Sequence, residues 1–214
     1  MNHATHPSAP RLLYVVRHAQ AEADQSELTP AGRSQATLLG RRLREHPFAA
    51  IHHSPLPRAA QTAQLIADQH ATALPLVAEE CLADHVPYFP RADELPADAA
   101  PALNRFVDAL PDADRERGPR LARALLNRFT GPARSSAPAE VHELLVTHAF
   151  QVAWLVRDAL GAPPHRWLGL NAGNAALTVI WYAPRMTPSV FVYNDVQHLS
   201  ADLQWTGFPD ALRP

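Results

Sequence analysis

Leu12-Leu13-Tyr14-Val15-Val16 runs without a break into Arg17-His18-Ala19-Gln20, and this junction constrains the chain more than any other stretch. A short apolar run rich in valine and leucine reads as a buried strand, here Arg11 to Val16. Its end delivers a guanidinium and an imidazole together. The guanidinium is a planar fork of donors that fits phosphate oxygens, and the imidazole carries a nitrogen able to attack phosphorus. Two later segments repeat the arrangement. Phe48 to His53 is a second short strand, followed by Ser54-Pro55-Leu56-Pro57-Arg58, and Leu144 to Val146 is a third, followed by Thr147-His148-Ala149. Three strand ends therefore present Arg17 with His18, then Arg58, then His148.

Helix signals lie between the strands. Thr29 is placed as an N-cap with Pro30 at the first helical position. Leu28, Ala36, Leu39 and Leu43 make one apolar face through Glu45, and His46-Pro47 ends that helix. Pro57 to about Gln69 reads as the next helix. Leu74 to Val77 reads as an edge strand, since Pro75 is poorly tolerated inside a sheet. This alternation predicts an α/β fold, a three-layer α/β/α arrangement around a largely parallel central sheet. From Cys81 to about Pro119 the rhythm breaks into a proline-rich, acidic insert with a helix-like patch at Leu103, Phe106, Val107 and Leu110, placed near the active site as a candidate lid or specificity element. A helix resumes over Leu121 to Phe129, Gly131 to Ala139 is a loop, and Phe150 to Leu160 is a further helix. Ala176 to Tyr182 and Ser189 to Tyr193 are late strands, with Trp205 and Phe208 packing back on the body. Residues 1–10 read as a flexible arm and 11–214 as a single domain.

The balance of 19 basic against 21 acidic residues, and a pI near 6.6, makes no electrostatic case for a nucleic acid or membrane partner. Any attraction for phosphate must be local. Every basic residue is arginine, which reads as compositional bias, as do the 21 prolines. The lone cysteine, Cys81, excludes an intramolecular disulfide and reads as a small buried apolar residue. His52-His53 makes no recognised zinc pattern, and neighbours in a strand face opposite ways, so no metal and no cofactor is expected. With no signal-peptide pattern and no apolar run of spanning length, a cytoplasmic location is the expectation. Asn171-Ala172-Gly173-Asn174 reads equally as a turn framing a pocket and as a plain turn. Trp167, Trp181 and Trp205 read as core anchors.

With these motifs in order, the chain resembles the histidine phosphatase superfamily, also called phosphoglycerate mutase-like. Arg17-His18 matches its Arg-His-Gly signature. Leu28, Thr29, Gly32, Gln35 and Ala36 match Leu-Thr-x-x-Gly-x-x-Gln-Ala, Ser54 to Ala63 match Ser-Pro-Leu-x-Arg-Ala-x-x-Thr-Ala, and His148 matches the histidine after a late strand. The likeness spans most of Arg11 to Tyr193. It departs at Ala19 and Ala149, where the family has glycine, so a slightly altered pocket is expected.

The resemblance implies a phosphomonoesterase acting on a small phosphorylated metabolite. His18 would be the nucleophile, kept neutral by neighbouring cations, with Arg17, Arg58, His148 and Ala149 holding the phosphate. Asp84 would protonate the leaving oxygen, with Glu79, Glu80, Asp93 and Glu94 as competitors. Two other readings are a phosphoglycerate mutase and a phospho-ligand-binding module without turnover. Only seven residues separate Gln20 from Leu28, which favours hydrolysis over the fuller motif of the mutases.

Overall fold

The computed structural model describes residues 8–96, 101, 105, 112–134 and 140–208. Their strands are β1 (Ser8–Ala9), β2 (Arg11–Arg17), β3 (Ile51–His53), β4 (Leu76–Ala78), β5 (Ala133–Arg134), β6 (Val141–Thr147), β7 (Leu177–Tyr182) and β8 (Ser189–Asp195). The helices are α1 (Pro30–Leu43), α2 (Pro57–Ala67), α3 (Asp112–Phe129) and α4 (Ala149–Ala159). Six strands form the central sheet in the order β4-β3-β6-β2-β7-β8. The first three pairings are parallel and the last two antiparallel, so a parallel half carries an antiparallel extension. β4 is an edge strand, as the proline beside it requires, and Pro75 contributes only its carbonyl, which accepts from Ile51 N.

Side chains alternate across the sheet and so divide the core into two layers. Leu13 and Val15 of β2 and Leu145 of β6 pack on one face with Leu125 and Phe129 of α3 and Val152 and Leu155 of α4. Tyr14 and Val16, with Leu144 and Val146, pack on the other face against Leu39 and Leu43 of α1 and Ala63 and Ile66 of α2. This is the expected three-layer α/β/α architecture, with helices covering a sheet too apolar to face water on either side. Histidines 52 and 53 also divide as expected for strand neighbours. His52 meets Phe129 edge-on, and His53, next in the strand, shares the parity of Ile51, which lies in the opposite layer.

Several elements differ from the sequence reading. The N-terminal arm is not loose from Ser8 onward, because Ser8 and Ala9 pair with Arg134 and Ala133 and Ala9 is buried. Residues 1–7 lie outside the described part. The insert was expected to run to Pro119, yet α3 already begins at Asp112 and carries Pro119 inside it. Gly118, the residue before Pro119, lets the helix pack closely on the backbone at Val86, since a Cβ there would fall 2.2 Å from the Val86 carbonyl oxygen. The patch at Leu103, Phe106, Val107 and Leu110 lies outside the described residues. Trp167 is a core anchor, but Trp181 is only half-buried and stacks on exposed Phe191, and Trp205 is also half-buried, meeting Phe208 edge-on. Among the described residues no helix is long and apolar enough to cross a membrane.

α1 starts where its capping residue predicts. Thr29 Oγ1 accepts from Gly32 N at 2.9 Å and donates to Gln20 Oε1 at 3.0 Å, with Pro30 in the first turn. Thr29→Ala removes the cap and is expected to cost about 1 kcal/mol. The expected fall in melting temperature is roughly 2–4 °C for a chain of this size. An unchanged melting curve would show that the hydroxyl does not hold the helix end.

Candidate active site

Strand register brings the distant motifs together. In the sheet Arg17 of β2 lies opposite Thr147 of β6, and Val146 lies opposite His53 of β3. The next residue on each strand is therefore a neighbour of the others. His18 N donates to Thr147 O at 2.8 Å, and Ser54 N donates to Val146 O at 2.9 Å. His18, Ser54 and His148 thus leave the carboxyl ends of three adjacent parallel strands, the end of an open α/β sheet at which ligands gather. The His18 and His148 rings lie 5.0 Å apart between centroids.

Each side chain is oriented by a specific partner. His18 Nδ1 lies 2.8 Å from Ala19 O, a contact that only an N–H can make, so Nδ1 carries the proton and Nε2 the lone pair. Arg58 Nε donates to that lone pair at 3.2 Å, while Arg58 Nη2 donates to Asp84 Oδ2 at 3.0 Å. Arg58 is buried at the start of α2, with Pro57 as the first helical residue. His148 Nε2 lies 2.8 Å from Ser54 Oγ. Ser54 is fully buried and among the described residues its hydroxyl has no other acceptor, so its proton goes to Nε2 and the imidazole N–H is Nδ1. His148 Nδ1 has no hydrogen-bond partner and stands 3.7 Å from Asp84 Oδ2.

Asp84 is placed by the backbone on both sides of it. Thr147 Oγ1 donates to Leu82 O at 2.7 Å, and Gln151 Nε2 donates to His85 O at 2.8 Å. Its competitors are engaged elsewhere. Glu79 pairs with His52, Glu80 with Arg117, Asp93 with Arg91, and Glu94 with Tyr88 and Arg91. Arg17 Nη1 donates to Ala172 O at 2.7 Å and Gly207 O at 3.2 Å, and its buried Nε has no partner. Ala149 is the first residue of α4, with His148 as its N-cap, so its amide has no acceptor within the helix.

Burial dominates the electrostatics. His18 is pushed down to about 3, first by desolvation and then by Arg17 and Arg58, whereas the sequence reading credited the cations alone. His148 is lowered to about 2 by the same burial, reinforced by His18 and both arginines, so it is a neutral donor and not a cation. Burial raises Asp84 against the opposing pull of Arg58 and Arg17; with its side chain 43% exposed, solvent tempers that rise. Two neutral imidazoles, two guanidiniums and one carboxyl can together bind an oxyanion and move a proton. Among the described residues no group of three His, Cys, Asp or Glu side chains is placed to hold a metal ion.

Ala19 does not widen or narrow this site through its methyl group. It is fully buried in the layer under α1 and α2, and its amide donates to Thr62 Oγ1 at 3.1 Å. The Asn171–Asn174 segment does frame the site. Ala172 O holds Arg17, and Asn174 Nδ2 donates to His18 O at 3.0 Å. Ser54 and Thr62 also serve the site, although nothing beyond their place inside the Ser54–Ala63 motif marks them in the sequence. For Thr206 and Gly207 the only signal is one glycine among aromatic residues, Trp205 and Phe208.

The model of the histidine phosphatase superfamily (branch 1) matches residues 13–195. The chain is 29% identical over 197 residues to the mitochondrial serine/threonine-protein phosphatase Pgam5 of Caenorhabditis briggsae, covering 90% of this chain and 66% of that protein. It is 30% identical over 196 residues to the Caenorhabditis elegans protein of the same name, covering 90% and 65%. It thus spans just under two thirds of these relatives. Among solved structures it superposes on a putative alpha-ribazole-5'-P phosphatase from Escherichia coli with a TM-score of 0.63 at 18% identity, covering 87% of this chain and 98% of that one. A mycobacterial glucosyl-3-phosphoglycerate phosphatase gives 0.60 at 23% identity, covering 86% and 99%. At these identities the two structures bear on the fold alone.

Three buried histidines tie stability to pH. His18, His148 and His85, the last lowered to about 4, stay neutral in the fold but take up protons near pH 6.5 once unfolded. A depressed imidazole contributes its full stability above the unfolded value, and loses it as pH falls from about 6.5 toward the folded value. At pH 5 each would forfeit roughly 2 kcal/mol. The urea midpoint is therefore expected to drop by about 1 M or more between pH 7 and pH 5, and His148→Gln should flatten that dependence. A midpoint unchanged over this range would mean the rings are not held neutral.

Proposed function

Because the chain belongs to the histidine phosphatase superfamily, we propose that it is a metal-independent phosphomonoesterase working through a phosphohistidine on His18. One observation carries the reading above all. Two buried N–H groups without partners, Arg17 Nε and His148 Nδ1, belong to the same cluster as an imidazole whose Nε2 carries a lone pair. A buried donor left unpaired costs about 1–3 kcal/mol, so a pair of them beside a nucleophile is understood as a site made for an anion's oxygens.

The His18 Nε2 lone pair attacks phosphorus while the bond from phosphorus to the ester oxygen breaks. Arg58 exchanges its contact with Nε2 for a phosphoryl oxygen, and Arg17, His148 and the Ala149 amide take the others. Such preorganised donors act on charge spread over the equatorial oxygens. Asp84, protonated, gives its proton to the leaving oxygen and then, as the carboxylate, accepts one from the water that attacks phosphohistidine. The nitrogen–phosphorus bond breaks, releasing inorganic phosphate and neutral His18. The low basicity of His18 suits this cycle, since the ring need not lose a proton before it attacks.

A small phosphorylated metabolite is the proposed substrate, in the cytoplasm, without nucleic acid or membrane partners. The names of the relatives at 29–30% identity supply a second reading, a phosphorylated serine or threonine in a protein. A metabolite panel run beside phosphoseryl and phosphothreonyl peptides separates the two.

The wild-type protein is expected to hydrolyse p-nitrophenyl phosphate in EDTA and to yield acid-labile labelled enzyme on quenching. His18→Ala should abolish both, and Arg58→Ala should lower kcat/KM on the order of 100- to 1000-fold. Asp84→Asn should cost little with the good leaving group p-nitrophenolate but on the order of 100-fold or more with an alkyl phosphate. Turnover that survives in His18→Ala, or that vanishes in EDTA, would sink the mechanism.

A further inference from the structure

One of the two carbonyls that hold Arg17, that of Gly207, lies beyond the family match at residues 13–195. Its Nη1 has two N–H groups, and Ala172 O and Gly207 O take them at 2.7 and 3.2 Å. With Nη1 occupied, the opposite edge of the guanidinium, Nε with Nη2, is the pair of parallel donors left to grip a tetrahedral anion. The Gly207 carbonyl thus helps decide which edge of Arg17 the ligand meets.

Residues 203–207 are tied to the His18 turn at further points. Thr206 O accepts from Asn174 N at 3.0 Å, and Asn174 Nδ2 holds His18 O. Gln35 Nε2 donates to both Leu203 O and Thr206 Oγ1 at 2.8 Å, while Gln35 Oε1 accepts from Gln20 N at 2.9 Å. Gln35 is fully buried, and Asn174 and Thr206 are buried beside it. The segment is therefore joined to Arg17 directly, to His18 through Asn174 and to Gln20 through Gln35.

Only glycine fits at the end of this connection. Gly207 has φ +84°, a conformation that costs an L-residue energy. A Cβ there would lie 2.5 Å from Arg17 Nη1, 2.8 Å from Arg17 Cζ and 2.5 Å from Asn174 Oδ1. We propose that Gly207 is a positioning residue of the active site, whose carbonyl and missing side chain set the Arg17 guanidinium for an oxyanion. The role rests on the phosphatase reading for its effect on turnover, and oxyanion binding tests it independently.

The comparison that isolates this role is Gly207→Ala against Gly131→Ala. Gly131 also has positive φ, +78°, but a Cβ there meets nothing within 4 Å, so it carries the backbone strain without the collision. Gly207→Asn is the second variant, since asparagine tolerates left-handed backbone yet keeps the Cβ. Melting temperature, kcat/KM on p-nitrophenyl phosphate and the Kd of orthovanadate are measured for each, alone and with Arg17→Ala. At melting temperatures matched to Gly131→Ala, both Gly207 variants are expected to lose on the order of 100-fold in kcat/KM and to raise the vanadate Kd at least tenfold. Gly131→Ala should stay within about twofold of wild type on both measures, since its added methyl reaches no catalytic group. In the Arg17→Ala background the Gly207 substitutions should add less than about twofold, as expected of residues that act as one unit. Gly207 variants that match Gly131→Ala, losses that multiply with Arg17→Ala, or failure of both Gly207 variants to fold would each overturn the proposal. An inert wild type that still binds vanadate would overturn the phosphatase reading instead, and the vanadate Kd alone would then decide the role of Gly207.

Discussion

Everything at the site depends on the parallel register of β2, β6 and β3. Residues 17, 147 and 53 end their strands at nearly one level, so the residues that follow them emerge side by side. A one-residue slip would exchange the two faces of a strand, sending Leu13 and Val15 to the layer built for Tyr14 and Val16. The same packing that fixes the fold therefore fixes the spacing of the two imidazoles. Precision at the strand ends comes from two apolar layers that have no chemical role of their own.

Burial then determines which chemistry those ends can carry. Withdrawn from water, His18 and His148 remain neutral, and their tautomers are fixed by unlike partners, a backbone carbonyl for one and a serine hydroxyl for the other. One ring is left with a lone pair on Nε2, and the other with an N–H at Nδ1. The difference between them lies entirely in what each touches, Ala19 O or Ser54 Oγ. Asp84, more exposed than either ring, is the member of the cluster with access to water and to Arg58 together.

What could be read from the sequence was what local pattern encodes. The apolar run at Leu12–Val16, the capping signal at Thr29-Pro30 and the proline beside β4 each specify an element through short-range sterics and hydrogen bonding, and each element is where that chemistry puts it. The site was legible to the extent that it sits at strand ends: His18, Arg58, Asp84 and His148 form one connected cluster. The start of α3 was not legible, because Pro119 signals a break in local pattern, and the close approach of Gly118 to Val86 is a tertiary contact that no local pattern announces. The anchoring of Arg17 was not legible either. It depends on contacts spanning 155 and 190 residues of sequence, for which no periodicity exists.

The departure from the family glycine at Ala19 becomes less weighty once its surroundings are known. A glycine is required where φ is positive or where a Cβ would strike a neighbour, and Ala19 adopts no positive φ. It is fully buried in the core layer that also holds Leu28, Ala36, Ala59 and Ala63, and its amide and carbonyl stay engaged with Thr62 and His18. The alanine thus adds apolar contact behind the nucleophile without entering the space where a phosphate would bind. At the other side of the site, Gly207 meets both conditions that require glycine. The backbone freedom that the signature assigns to the residue after His18 is, in this chain, indispensable beside Arg17 instead.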